Sequence, residues 1–141
     1  MMYIGEPTQG KEFYDLLYQS DEFTSELGKV TLASSKLEAE IILFLKRKGI
    51  KDNYEKAPLG KLIDIVKKNN LIDYNLIISL KQISIQRNYL THNIYSLFID
   101  LLDETILEKN NLLDSDVHTY IERTWQLKEN LIALSEIIQE E

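Results

Sequence analysis

The apolar residues of this chain recur every three or four positions along most of its length. Between residues 24 and 48, one such stripe contains Leu27, Val30, Ser34, Leu37, Ile41, Phe44 and Lys48. Side chains at this spacing share one face of an α-helix, whereas a half-buried strand requires strict alternation. No Asn-Gly or Asp-Gly hairpin turn occurs, and strand signals are weak throughout. The sequence therefore predicts an all-α fold.

Helix start and stop signals divide the chain into five predicted helices, four of them long or medium and one short. The predicted segments are 11–19, 24–48, 58–68, about 73–101, and a last helix that opens at 114–116. The fourth is the longest, at about seven turns. Its stripe contains Leu76, Leu80, Ile83, Arg87, Leu90, Ile94, Leu97 and Leu101. Because no repeat or composition shift marks a boundary, we expect one domain over 1–141, with a core at about 24–139, folded as an up-and-down bundle of four to five helices.

Composition excludes several classes of protein. The 141 residues include no cysteine, which excludes disulfides, iron–sulfur clusters and zinc sites of the usual cysteine type. No apolar run approaches the roughly eighteen residues of a membrane span, and residues 1–6 lack the features of a secretion signal. We therefore expect a cytoplasmic protein without a membrane partner. The net charge of −7 argues against binding of duplex DNA through broad phosphate neutralisation.

The glycines and histidines exclude further chemistries. The five glycines form neither a GxGxxG fingerprint nor a Walker loop. The only histidines are His92 and His118, and neither belongs to the Glu-x-x-His pair that di-iron bundle sites need. No His-Glu-x-x-His occurs either. The sequence therefore predicts no metal site and no cofactor.

One polar residue interrupts the apolar stripe of the fourth predicted helix. Arg87 lies in the string Arg87-Asn88-Tyr89-Leu90-Thr91-His92. A guanidinium in such a stripe must either be paired or face a cleft. Two interpretations follow, a salt bridge to a carboxylate on a neighbouring helix with His92 at the rim, or a functional Arg–His pair.

This Arg-Asn-x-x-x-His string, on a late helix of a small α-helical domain, resembles the active-site motif of the HEPN superfamily (higher eukaryotes and prokaryotes nucleotide-binding). Arg87, Asn88 and His92 match the motif, and we extend the resemblance over about 29–138. The resemblance implies a bundle that forms a homodimer. It further implies a metal-independent endoribonuclease of a toxin–antitoxin or antiphage system, with Arg87 and His92 as the catalytic residues.

The same resemblance implies a cognate antitoxin, of the nucleotidyltransferase type or another kind. Members that pair with a nucleotidyltransferase often carry His-x-Tyr, with that tyrosine open to modification. Here Ile94 occupies the tyrosine position, and Tyr95 follows one residue later. Tyr95 is thus a candidate for modification, or for stacking on a base together with Tyr89.

Metal-free RNA cleavage needs three things that these side chains can supply. The 2′-hydroxyl must lose a proton, the leaving 5′-oxygen must gain one, and the charge on the phosphorane must be stabilised. Histidine is the side-chain type suited to both proton transfers, which selects His92, and Arg87 offers a planar fork for phosphate oxygens. One chain supplies one such pair, so a two-fold dimer would combine two pairs in a composite cleft. The products would carry 2′,3′-cyclic phosphates.

Helical geometry adds a condition. Arg87 and His92 are five residues apart, about 140° around a regular helix, so the long Arg side chain or a bend must bring them together. Asn88 shares a face with His92, and we assign it to orienting His92 or contacting phosphate. The alternative function is a catalytically inactive HEPN-like module that binds a protein partner or a nucleotide, with Arg87 in a structural ion pair. A generic bundle with an accidental motif is the third hypothesis.

Overall fold

The computed structural model describes residues 2–99 and 115–141. These residues form six helices: α1 (Pro7–Gln19), α2 (Asp21–Arg47), α3 (Leu59–Lys68), α4 (Tyr74–Thr91), α5 (Ile94–Phe98) and α6 (Val117–Glu140). Two antiparallel strands of two residues each, β1 (Met2–Tyr3) and β2 (Ser115–Asp116), pair near the start of α6. The predicted all-α class is confirmed, and the short strand pair is the one exception among the described residues.

The ends of the helices follow local chemistry. Ser20, Asp73 and Asp116 each accept a hydrogen bond from the backbone N–H three residues later, at 3.1, 2.8 and 2.8 Å. These N-caps satisfy N–H groups that have no partner within the helix. Hydrogen bonds from the Thr119 backbone and hydroxyl also lower the pKa of Asp116. Gly49, with φ of +68°, ends the segment after α2 in the left-handed conformation that glycine adopts without strain.

The helices α2 and α6 run parallel to each other along the bundle. The ammonium of Lys128 lies 3.0 Å from a carboxylate oxygen of Glu26, and the Arg47 guanidinium donates to the carbonyl of Ile138 at 3.0 Å. Residue numbers therefore rise together along both helices. Helix α4 packs against both α2 and α6, and the three helices are the longest of the described residues.

The core lies between these three helices. Its fully buried members include Val30, Leu37, Ile41 and Phe44 of α2, Leu80 of α4, and Leu131 and Ile138 of α6. Each such side chain contributes about 1.5–3 kcal/mol relative to exposure in water. Helix α3 contacts both α2 and α4 and covers one end of the seam between them. The predicted inward stripes thus account for most of this core.

An aromatic cluster closes the other end of the bundle. The side chains of Tyr3, Phe13, Phe98 and Tyr120 are almost fully buried. Ring centroids lie 4.6 Å apart for Tyr3 and Phe98, 5.4 Å for Phe13 and Phe98, and 5.6 Å for Phe98 and Tyr120. The cluster therefore joins β1, α1, α5 and the start of α6.

The close approach of α1 to α5 requires a glycine. A Cβ atom at Gly10 would overlap the backbone carbonyl oxygen of Phe98. No side-chain rotation relieves such an overlap, because the obstructing atom belongs to the backbone. Gly10 therefore allows Phe98 to reach the aromatic cluster.

The predicted long fourth helix is wrong beyond Thr91. Helix α4 ends there, and the carbonyl of Asn88 accepts hydrogen bonds from the backbone N–H groups of both His92 and Asn93. The chain then turns into α5, which carries Phe98 into the aromatic cluster. The burial of Phe98 outweighs the continuous three-and-four spacing. The predicted stripe residue Leu101 lies outside the described residues.

Smaller differences concern helix starts. Helix α1 begins at Pro7 rather than at residue 11, and α2 begins at Asp21 rather than at residue 24. Pro58 occupies the N-cap position of α3 instead of its first turn. Leu16, which was expected to face inward, is exposed, while Leu17 beside it is buried.

Candidate functional site

An open groove of about 290 Å³ lies between α2 and the C-terminal end of α4. Its lining consists of Thr31, Ser34, Ser35 and Glu38 from α2 and Arg87, Thr91 and His92 from the end of α4. Polar side chains thus converge where two apolar stripes would otherwise meet. The groove brings together two of the residues that the sequence selects, Arg87 and His92.

Arg87 is mostly buried and reaches across to α2. Its side chain is 13% exposed, and Nη1 lies 3.6 Å from Oε1 of Glu38, whose side chain is 30% exposed. The buried Nε atom of Arg87 has no hydrogen-bond partner among the residues described. A buried donor without a partner costs about 1–3 kcal/mol of folding stability, so this Nε atom destabilises the fold.

His92 reaches the groove because α4 stops one residue earlier. It caps the helix with φ of −120° and ψ of −31°, and its side chain is exposed. In a continuous helix, Arg87 and His92 would point about 140° apart. The His92 N–H still makes the helical bond to the carbonyl of Asn88, so the two residues share the groove through the long Arg87 side chain and the position of His92 at the helix end.

Ser34 forms the third unusual feature of the groove. Its residue is 3% exposed, and its hydroxyl has no hydrogen-bond partner within the described part of the chain. The buried hydroxyls of Thr124 and Ser135, in contrast, donate to the carbonyls four residues earlier at 2.6 and 2.9 Å. Ser34 is thus a buried hydroxyl, on the wall of an open groove, whose hydrogen-bonding capacity is unused.

The other predicted site residues do not line the groove. Asn88 contributes its backbone carbonyl to the turn at His92, as described above, and its side chain lies outside the groove lining. Tyr89 is partly buried. Tyr95 is exposed, and its ring makes an edge contact with Tyr14 at 4.8 Å. The structure therefore separates both tyrosines from the groove wall.

Sequence reasoning missed two groove residues. Glu38 lies outside the apolar stripe of α2, as a solvated carboxylate would, but it pairs with Arg87 across the groove. Ser34 was placed in the inward stripe of α2 without being assigned a function. A signal was present, because Ser34 is a small polar residue inside an apolar stripe and Glu38 follows it by one turn.

Two other kinds of site were examined along residues 2–99 and 115–141. No group of three or more His, Asp or Glu side chains in these ranges is arranged to hold a metal ion. Within the same ranges, no helix is long and apolar enough to cross a membrane.

Comparison with known proteins adds no relative. No protein-family model matches the chain, and neither the curated proteins nor the solved structures contain a significant match. The function must therefore be argued from the groove itself.

Proposed function

We propose that this protein is a metal-independent endoribonuclease of the HEPN type, acting in a toxin–antitoxin or antiphage system. In this proposal, His92 transfers protons and Arg87 stabilises the charge on the phosphorane. Attack by the 2′-hydroxyl leaves a 2′,3′-cyclic phosphate. The observation that carries the proposal is the end of α4 between these residues, which lets both line one groove.

The chemistry of the groove fits an anionic substrate. The guanidinium of Arg87 contacts Glu38 at only 3.6 Å, and its Nε donor is unpaired among the described residues. A phosphate oxygen is a strong acceptor for such a donor. Glu38 would then be a positioning residue, because it holds the guanidinium against the groove wall without touching substrate.

His92 is suited to proton transfer because it is exposed at the groove rim. An imidazole can both accept and donate a proton, and at the rim it is within reach of a substrate in the groove. Ser34, below it on the wall, could donate or accept one hydrogen bond to the ribose or the phosphate. One groove supplies one histidine, so the second proton-transfer group would come from a second copy.

The outward face of α2 supports the proposed homodimer. Leu32 is 73% exposed there, and Leu43 and Ala39 are exposed on the same face. Ser35, on the adjoining side of the helix, lines the groove. A second copy packed on this face would cover the leucines and bring a second groove close to the first.

A second candidate function is a catalytically inactive helical module that binds a protein partner or a nucleotide. The observation in its favour is the ion pair of the mostly buried Arg87 with Glu38 on another helix. In that case Arg87 serves the fold, and His92 has no function in catalysis.

Incubation of the purified protein with RNA in EDTA tests the proposal. We expect cleavage that survives the chelator and leaves 2′,3′-cyclic phosphate ends. Removal of a proton-transfer group typically costs about 10²–10⁴-fold in rate, so His92→Ala should lose at least a hundredfold. His118→Ala is the matched control, because His118 is exposed and pairs only with Glu122 at 3.0 Å among the described residues.

The outcomes distinguish the two functions. Loss of cleavage in folded His92→Ala, with wild-type rates in His118→Ala, supports the ribonuclease. Absence of cleavage by the wild-type protein, or equal activity of both variants, contradicts it. Circular dichroism of each variant checks that the fold is retained.

A further inference from the structure

Positive charge is concentrated in one part of this acidic chain. Residues 46–81 contain nine Lys and Arg residues but only four Asp and Glu residues. The rest of the chain contains seven basic and nineteen acidic residues. The basic segment comprises the end of α2, all of α3 and the first half of α4. Positive charge is therefore concentrated on this segment, although the protein as a whole is negative.

Four lysines and a tyrosine form the centre of this surface, which we call the basic patch. Its members are Lys61, Lys67 and Lys68 of α3 and Tyr74 and Lys81 of α4. Except for Lys81, which is partly exposed, all are exposed, and the Tyr74 side chain is 71% exposed. No ion pair with a carboxylate of the described residues involves any of the four lysines.

Two of these lysines lie side by side. The close approach of the Lys67 side chain and the repulsion from its charge lower the pKa of Lys81. Asp64 and Tyr74 are close enough to act on Lys81 in the opposite direction. Adjacent ammonium groups repel each other, and a bound anion would relieve that repulsion.

The basic patch and the groove both include residues of α4. An ideal Cβ at Gly60, at the start of α3, lies 3.9 Å from the hydroxyl of Ser84. Ser84 and the groove residue Thr91 are seven residues apart and so share one face of α4. The groove therefore lies along the same contact between α2 and α4 that α3 covers. Lys81 and Asn88, also seven residues apart, share the neighbouring face of α4.

We propose that the basic patch binds a single-stranded stretch of the RNA whose scissile phosphate occupies the groove. The lysines contact backbone phosphates, and the exposed ring of Tyr74 stacks on an unpaired base. Asn88 lies between the patch and His92 and contacts the connecting phosphates. This inference rests on the proposed ribonuclease function for its choice of ligand.

The composition of the patch favours a single strand over other polyanions. Lysines beside an exposed aromatic ring combine phosphate contacts with stacking, and stacking requires a base that is not already paired. A duplex offers phosphates but keeps its bases stacked inside. Along α4, Lys81 lies only about 9 Å from Arg87, a distance that a short single strand can cover.

Fluorescence anisotropy with a labelled, unstructured RNA of about twenty nucleotides tests the patch. The His92→Ala background prevents cleavage during titration. The test variant is Lys67→Glu/Lys81→Glu, and the matched control is Lys11→Glu/Lys51→Glu, which makes the same charge change at exposed lysines that are not members of the patch. Tyr74→Ala and Tyr74→Phe separate stacking from loss of the hydroxyl.

We expect the patch variant to bind at least tenfold more weakly than the control. Its plot of log affinity against log salt should be shallower by about 1.4, because each phosphate contact to a single strand contributes about 0.7. Tyr74→Ala should weaken binding about fivefold or more, and Tyr74→Phe should bind as the parent does.

Equal affinity of the patch variant and the control overturns the inference, as does equal binding of duplex RNA. These results are independent of cleavage. If RNA binds through the patch but the wild-type protein cuts nothing, the inference stands and the proposed ribonuclease function fails. If cleavage depends on His92 but not on the patch, the proposed ribonuclease function stands and the inference about the patch fails.

Discussion

Replacement of Arg87 by methionine should abolish RNA cleavage and leave the stability of the fold nearly unchanged. At 3.6 Å, a pair of unit charges near a protein surface attracts by about 4–5 kcal/mol before desolvation is counted. Desolvation offsets most of this, and a partly exposed pair contributes about 1 kcal/mol net. Methionine also removes the unpaired Nε donor, and this removal stabilises the folded protein by about 1–3 kcal/mol. The two effects nearly cancel, within about 1 kcal/mol.

Glu38→Gln should be more costly than Arg87→Met. It leaves the mostly buried guanidinium with no charged partner among the described residues, at an expected cost of about 1–3 kcal/mol. Lys128→Met is a control variant that also removes the cation of an ion pair, but we do not expect it to leave the stability nearly unchanged. It leaves Glu26, which is less exposed than Glu38, without the ammonium at 3.0 Å, and we expect it to cost more than Arg87→Met.

Urea unfolding followed by circular dichroism measures these free energies, and cleavage of RNA in EDTA measures activity. A loss above about 4 kcal/mol in Arg87→Met, or a larger loss than in Glu38→Gln, would refute the reasoning. The arginine would then belong to the structural frame, and the inactive-module function would gain support.

Three further predictions concern packing, pH and assembly. Gly10→Ala should lower the free energy of unfolding by about 2 kcal/mol or more, because its Cβ overlaps the backbone of α5. Gly28→Ala, whose Cβ meets open space, should raise the free energy of unfolding by about 0.5–1 kcal/mol. Thermal unfolding measures both changes. The ammonium of Lys128 lowers the pKa of Glu26, so the pair stabilises the fold above the ordinary carboxyl pKa of 4.5 and loses this effect as pH falls through the lowered value. Glu26→Gln should therefore flatten the acid limb of stability measured against pH. Leu32→Glu should shift the protein from dimer to monomer in sedimentation, and unchanged sedimentation would remove α2 from the proposed interface.

Much of the fold could be predicted from the sequence because helical faces are local. The spacing in α2 and α6 identifies inward residues such as Val30, Leu37 and Leu131, and these are buried. The cap residues also mark helix starts, as Asp73 and Asp116 illustrate. Local patterns determine these features, so neighbouring residues suffice to read them.

The groove depends on contacts between distant segments, and the sequence could not supply those. The break after Thr91 follows from packing of Phe98 on α1, although the apolar spacing continues unbroken through it. Glu38 looks like any exposed carboxylate until α4 is placed beside α2. The Arg–His spacing required a long side chain or a bend, and only the tertiary contacts show that both residues line one groove.

The parallel pairing of α2 with α6 also determines when the protein can finish folding. Its contacts join residues far apart in sequence, such as Arg47 and Ile138, which are 91 positions apart. During synthesis, α2 leaves the ribosome long before its partner, and its inner face must wait for α6. Contacts of such high sequence separation also slow folding. The helix α2, which forms one wall of the groove, therefore lacks its packing against α6 until residue 138 has left the ribosome.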